Sequence, residues 1–191
     1  MLFHLVGIER SMKLTKRGEY ALRTLIRLGI AQRRGEDVVA VSKLAESEKL
    51  PFKFLENILA ELRVAGYVES RRGKLGGVLL AKPMRGIMMG EIVRLIDGKL
   101  APIGCASETD YEKCSCPDED HCGLRMLMID VRNALAGILD RYTLEHVVEV
   151  TMRKEERCSK TRSKTKSAAK NARHADPADG FLAALLDSPL T

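Results

Sequence analysis

The sequence predicts a mainly α fold with one small β-hairpin, and three observations carry that prediction. Apolar residues recur at spacings of three and four in several separate stretches, the mark of helices with one buried face. Two short β-like runs flank one Gly-rich turn, RRGKLGG, as a hairpin requires. Aromatic residues make up 4% of the chain and Trp is absent, so Leu, Ile, Val, Ala and Met must build the core.

The elements follow in order. Residues 1–11, MLFHLVGIERS, lack both a basic start and a small-residue cleavage site, so they read as an N-terminal extension rather than a signal peptide. Clear patterning begins at Met12. Residues 17–32 form a helix whose stripe is Ala21, Leu22, Leu25, Ile26 and Gly29, closed by Arg33, Arg34 and a left-handed Gly35. Residues 38–40 suit a short strand, and a brief helix runs from a capping Ser42 to Glu48. Pro51 opens the next helix, with Phe54, Leu55, Ile58, Leu59 and Leu62 on one face and Gly66 at its end. A short helix, a tight turn and a longer helix make a helix-turn-helix pattern.

Residues 67–71 and 78–81 then form a hairpin, a wing behind that motif. Residues 89–97 read as a further short helix. From Leu124 to Tyr142 runs the longest helical pattern, with Leu124, Leu127, Met128, Val131, Leu135, Ile138 and Tyr142 on a seam suited to a partner helix. Residues 153–179 are rich in Lys, Ser and Ala and poor in large apolar side chains, which predicts a disordered tail. The fold class is therefore a winged helix-turn-helix, mainly α with a small β wing, plus a long dimerisation helix. Its expected parts are the extension at 1–11, a DNA-binding unit at 12–85, a cysteine loop with its helix at 86–152, and a basic tail at 153–191.

Charge divides along the same lines. Residues 12–85 hold 16 basic against 8 acidic residues, residues 86–152 hold 6 against 12, and residues 153–191 hold 9 against 5. A basic block followed by an acidic one suits a polyanion-binding unit followed by a unit with another task. No run of 18 apolar residues exists, which argues against a membrane-spanning helix. With no export signal the expected compartment is the cytoplasm, where thiols stay reduced and clustered cysteines serve metal or redox chemistry.

Double-stranded DNA is the polyanion these elements suit. The N-terminal end of a recognition helix faces base edges, and here it carries Lys53, Glu56 and Asn57, with Phe54 beside them. Asn pairs with adenine, Glu accepts from the cytosine amino group, and Lys reaches guanine or phosphate. Arg71, Arg72 and Lys74 charge the wing, while Lys16, Arg17 and Tyr20 are expected phosphate contacts.

Four of the five cysteines lie between Cys105 and Cys122 in the order C-x8-C-x-C-x5-C. Clustered thiolates on a loop suit an iron–sulfur cluster. Zinc could also take four cysteines, although paired CxxC knuckles are absent, and a metal-free thiol switch or a zinc-stabilised assembly protein are the other readings. Cys158 stands apart and is expected to be free. The four histidines form no catalytic constellation, and no phosphate-binding or dinucleotide loop exists, so an enzyme with a small-molecule substrate is not expected.

Taken together, MKLTKRGEYALRTLIRL, LPFKFLENILAELRVAGYVESRRGKLGGVLLAKP and the cysteine loop resemble the IscR/NsrR/RirA-type (Rrf-two) family of bacterial winged-helix regulators over roughly residues 12–150. The resemblance implies a homodimeric transcription factor that binds operator DNA and carries a [2Fe-2S] or [4Fe-4S] cluster near its dimerisation helix. It implies base reading by Glu56 and Arg72, with Lys53, Phe54 and Asn57 as neighbours, and cluster ligation by Cys105, Cys116 and Cys122. Three features depart from the family's pattern: the ten residues between Cys105 and Cys116 make a longer gap than usual, Cys114 is an extra thiol, and Arg125 stands where some members have a histidine. The fourth ligand is left between Cys114 and Glu19, which some relatives match with an acidic residue donated by the partner subunit.

Overall fold

The computed structural model describes residues 14–73, 75–98 and 100–164. The N-terminal extension, Lys74 and residues 165–191 lie outside the described residues. Six helices and one hairpin are seen: α1 (Lys16–Arg33), α2 (Val41–Glu48), α3 (Phe52–Val64), β1 (Val68–Arg71), β2 (Gly77–Leu80), α4 (Met89–Asp97), α5 (Gly123–Leu139) and α6 (Leu144–Lys164). A mainly helical fold with a two-stranded antiparallel wing is what the sequence predicts.

Each early helix forms for a local reason. In α1 the Thr15 side chain caps the start by accepting from the Gly18 amide, and Gly35 sits at φ 82° just beyond the end. α1 buries Ala21, Leu25, Leu28 and Ile30, and α3 buries Leu55, Ile58, Leu59 and Leu62, so the two stripes meet in one core. The expected Ser42 cap is not used. α2 is capped two residues earlier, at Ala40, whose carbonyl accepts from the Leu44 amide at 3.0 Å, and no side chain caps it. Of the expected strand at 38–40 only Val39 pairs, through bonds of 2.9 and 2.8 Å with Val78.

The core does not stop at residue 85. Ile87, Met89, Ile92 and Ile96 from the α4 region and Leu144 and Val148 from α6 join it, so the winged unit is completed by segments on both sides of the cysteine loop. α6 docks where Gly29 lets α1 come close: a Cβ there would meet the Val148 side chain at 2.7 Å and Met84 Sδ at 2.9 Å. Its first residues are held by backbone bonds from Met89 to Tyr142 (3.0 Å) and from Leu144 to Ile87 (2.8 Å).

Two expectations about the C-terminal part are corrected. The longest helix is α6, with 21 residues, rather than the segment at 124–142; α5 ends at Leu139, and Tyr142 lies beyond it, packed against the core. The stretch expected to be disordered from residue 153 is helical as far as Lys164. Charged residues do not break a helix that is already nucleated on the core, and pairs such as Arg34–Glu155 (2.6 Å) and Arg153–Glu149 (3.5 Å) support it. Among the described residues no helix is long and apolar enough to cross a membrane.

Candidate nucleic-acid interface and cysteine loop

The DNA face expected from the sequence is built by α1, α3 and the wing. Lys53 and Asn57 are exposed on the first turns of α3, and Glu56 is half-buried and pairs with Lys53 at 3.3 Å. Phe54 is half-buried and packs edge-on against Tyr20 of α1, ring centroids 5.7 Å apart, which ties α3 to α1. Tyr20 in turn carries Lys16 and Arg23 against its ring, at 5.8 and 5.6 Å. Arg17 pairs with Glu61 of α3, and Lys16 pairs with Glu19 at 2.7 Å. Exposed pairs of this kind are worth about 0–1 kcal/mol, so phosphate can replace the carboxylates at little cost.

At the wing, Arg71 ends β1 and Arg72 follows it, both exposed. Gly73 takes φ 109°, closed to most side chains, and its carbonyl accepts from the Gly76 amide at 2.9 Å, which folds the tip. Leu75 stands 90% exposed on that tip. Lys74, expected here, lies outside the described residues.

The cysteine loop connects α4 to α5. Cys105 is buried in a single 3-10 turn, while Cys114, Cys116 and Cys122 are half-buried and all are free thiols. The sulfurs form a string: Cys114 interacts with Cys105 and with Cys116, and Cys116 with Cys122. Hydrogen bonding to Cys114, burial and the Cys122 thiol push Cys116 up to about 12, while the Cys116 thiol and the Cys116 amide, 3.3 Å from Cys114 Sγ, pull Cys114 down. Burial, then Cys114, raises Cys105. A cation that binds thiolates must displace their protons, so loading of such a loop depends on pH. Among the described residues no group of three or more His, Cys, Asp or Glu side chains is placed to hold a metal ion. His121 is exposed and turned to Asp118, its Nδ1 2.9 Å from the carboxylate. Glu19, on α1, is flanked by Lys16 and by Arg23 at 3.4 Å; the Lys16 hydrogen bond holds its carboxyl below the usual range.

Polar ties along one face of α4 were not anticipated from the sequence. Glu91 accepts from the Tyr67 hydroxyl at the foot of the wing, 3.0 Å away. Arg94 makes a two-pronged pair with Asp140 beyond α5, at 2.7 and 2.6 Å. Asp97 accepts from the Thr15 amide at 2.9 Å and from the Thr15 hydroxyl, holding the cap of α1. Spacing of three residues puts Glu91, Arg94 and Asp97 on one helical face, a signal that was visible, but their partners are distant in sequence.

Comparison with known proteins bears on this arrangement. Residues 14–150 match the family model described as Rrf2, iron-dependent transcriptional regulator. An rrf2-like HTH-type transcriptional regulator of Rhodobacter capsulatus is 36% identical over 137 residues, 71% of this chain and 91% of that protein. The HTH-type transcriptional regulator NsrR of Bacillus licheniformis is 32% identical over 137 residues, 72% of this chain and 92% of that protein. The solved structure of CymR, the global cysteine regulator of B. subtilis, superposes with a TM-score of 0.60 at 29% identity, covering 72% of this chain and 96% of that one.

Proposed function

This chain belongs to the Rrf2 family of bacterial transcriptional regulators, and from that premise we propose that it is a homodimer whose affinity for operator DNA is set by an iron–sulfur cluster on the cysteine loop, responding to iron supply, redox state or nitric oxide. Family membership carries the DNA-binding role. The observation that carries the cluster is the string of four free thiols between α4 and α5. Such soft donors on a loop fit iron–sulfur ligation. When bound, the cluster would supply a redox- and ligand-sensitive centre. Cys105, Cys116 and Cys122 are its ligands in this reading, with Cys114 as the fourth. Cys114 is preferred to Glu19 because it lies within the string, whereas Glu19 is already neutralised by Lys16 and Arg23.

DNA contact is assigned to Lys53, Glu56 and Asn57 on α3, to Arg71, Arg72 and Lys74 on the wing, and to Lys16 and Arg17 as phosphate anchors. The exposed apolar face of α5 pairs with a second copy. Control requires that the loop bias two arrangements of the DNA face. Asp97 is the last residue of α4 before the loop, and it grips Thr15, next to Lys16 and Arg17. A rearranged loop thereby reaches the start of α1.

Anaerobically purified protein is expected to be brown, with iron and acid-labile sulfide in matched amounts and a paramagnetic signal on reduction. Metal-free and loaded protein should differ in affinity for a promoter fragment at fixed salt; equal affinity refutes the coupling. A second reading is favoured by the same thiol string: a metal-free regulator switched by thiol oxidation. It predicts a colourless protein whose operator affinity changes on mild oxidation and recovers with a thiol reductant.

A further inference from the structure

Two arginines on α5 reach back into the cysteine loop. Arg125 and Arg132 are seven residues apart, two helical turns, and so share a face. Arg125 Nε donates to the carbonyl oxygen of Cys105 at 3.0 Å, and Arg132 Nη1 donates to the carbonyl oxygen of Ala106 at 2.7 Å. The Arg132 side chain is only 14% exposed and also pairs with Glu108 at 3.1 Å. The same Arg125 Nε lies 3.4 Å from a carboxylate oxygen of Glu119. Glu119 accepts from the Tyr111 hydroxyl at 2.6 Å and from the Cys114 amide at 3.4 Å. A continuous path thus runs from Cys105 through Arg125 and Glu119 to Cys114, joining the two halves of the loop without using a sulfur.

We propose that Arg125 and Arg132 are positioning residues that assemble the four-thiol loop before any metal arrives, and that Arg125 also offsets the negative charge of the thiolate-bound centre. The proposal rests on the cluster reading above only for its second part. Guanidinium has five donors and no lone pair to give a metal, so Arg125 acts through the Cys105 carbonyl and through Glu119 and not as a ligand. The need for cations is clear from composition: residues 104–122 contain six carboxylates and one lysine besides the four thiols. Gathering thiolates in that acidic loop is opposed by like-charge repulsion, which a fixed guanidinium relieves.

The test separates the two parts. In metal-free protein, Arg125→Gln should raise amide hydrogen exchange across residues 105–119 by roughly tenfold, the change expected from losing a charge-assisted bond, while the melting of the winged core stays as in wild type. Glu119→Gln should do the same from the other end of the path, and serves if Arg125→Gln fails to fold. In reconstituted protein, Arg125→Gln should hold less iron and sulfide per chain and titrate at a more negative potential. Arg125→Lys should restore the potential in part, because it keeps the charge, but not the protection, because it loses the Nε donor held between the Cys105 carbonyl and Glu119. Unchanged exchange in both Arg125→Gln and Glu119→Gln overturns the positioning role. Unchanged potential in Arg125→Gln overturns the charge role. If wild-type protein takes up no iron and sulfide, the cluster reading and the charge role fail, while the exchange arm still judges the clamp.

Discussion

The winged core and the α5 region are built to different degrees of completion. Leu25, Leu55, Ile58, Leu62 and Ile92 are buried within one chain, sealed by α6. α5 has no buried residue at all, and Leu124, Leu127 and Ile138 are 57%, 56% and 50% exposed along it. A 17-residue helix with an open apolar side is a large exposed patch of the sort that marks an interaction surface. The contrast teaches that one half folds on its own contacts, whereas the other, in our reading, awaits a second copy along the apolar face and a cluster at the N-terminal end.

The sharpest way to break that contrast is to charge the open face. Leu127→Glu combined with Ile138→Glu should abolish the dimer in sedimentation analysis while leaving the melting of the winged core unchanged. A dimer that persists would place the interface elsewhere. Next in size is a matched pair of truncations. Leu55→Ala should cost about 3 kcal/mol in denaturant unfolding, as for a fully buried leucine, whereas Leu124→Ala should cost the unfolding of a single chain less than about 0.5 kcal/mol. Similar losses would mean that α5 is core after all.

On the DNA side, Arg72→Ala should weaken operator binding by about 1–3 kcal/mol and leave binding to unrelated duplex nearly unaltered. Equal losses on both would reduce Arg72 to a phosphate contact. The smallest effect concerns the tie between α4 and the end of α5. The hydrogen bond from Arg94 holds Asp140 below its ordinary carboxylate range. A depressed folded-state value means that the tie contributes fully above the unfolded value, near 4, and fades as pH falls through the folded one. Asp140→Asn should therefore flatten the acid limb of the stability curve slightly, and an unaltered limb would show that the pair carries nothing.

Much of this molecule is legible in its sequence because the signals are local. Periodic leucines, Pro51 before α3, Gly35 and Gly66 at helix ends and Gly73 in the wing each report on the few residues around them, and each lands where expected. Spacing brought the four cysteines into view for the same reason. α6 was missed because its apolar residues crowd into its first turns and charge fills the remainder, so its window looks like a polar tail; only docking against Gly29 and Met84 makes it a helix of the core.

The sequence by itself determined the winged-helix class, the cysteine loop and the identity of the exposed basic residues, since these follow from period, turn chemistry and composition. Tertiary structure alone decided that Phe54 braces Tyr20, that Asp97 holds Thr15 across 82 positions, and that Arg125 holds Cys105 across 20. Such contacts depend on how finished helices cross, and that angle is set by the whole packed core rather than by any window of chain.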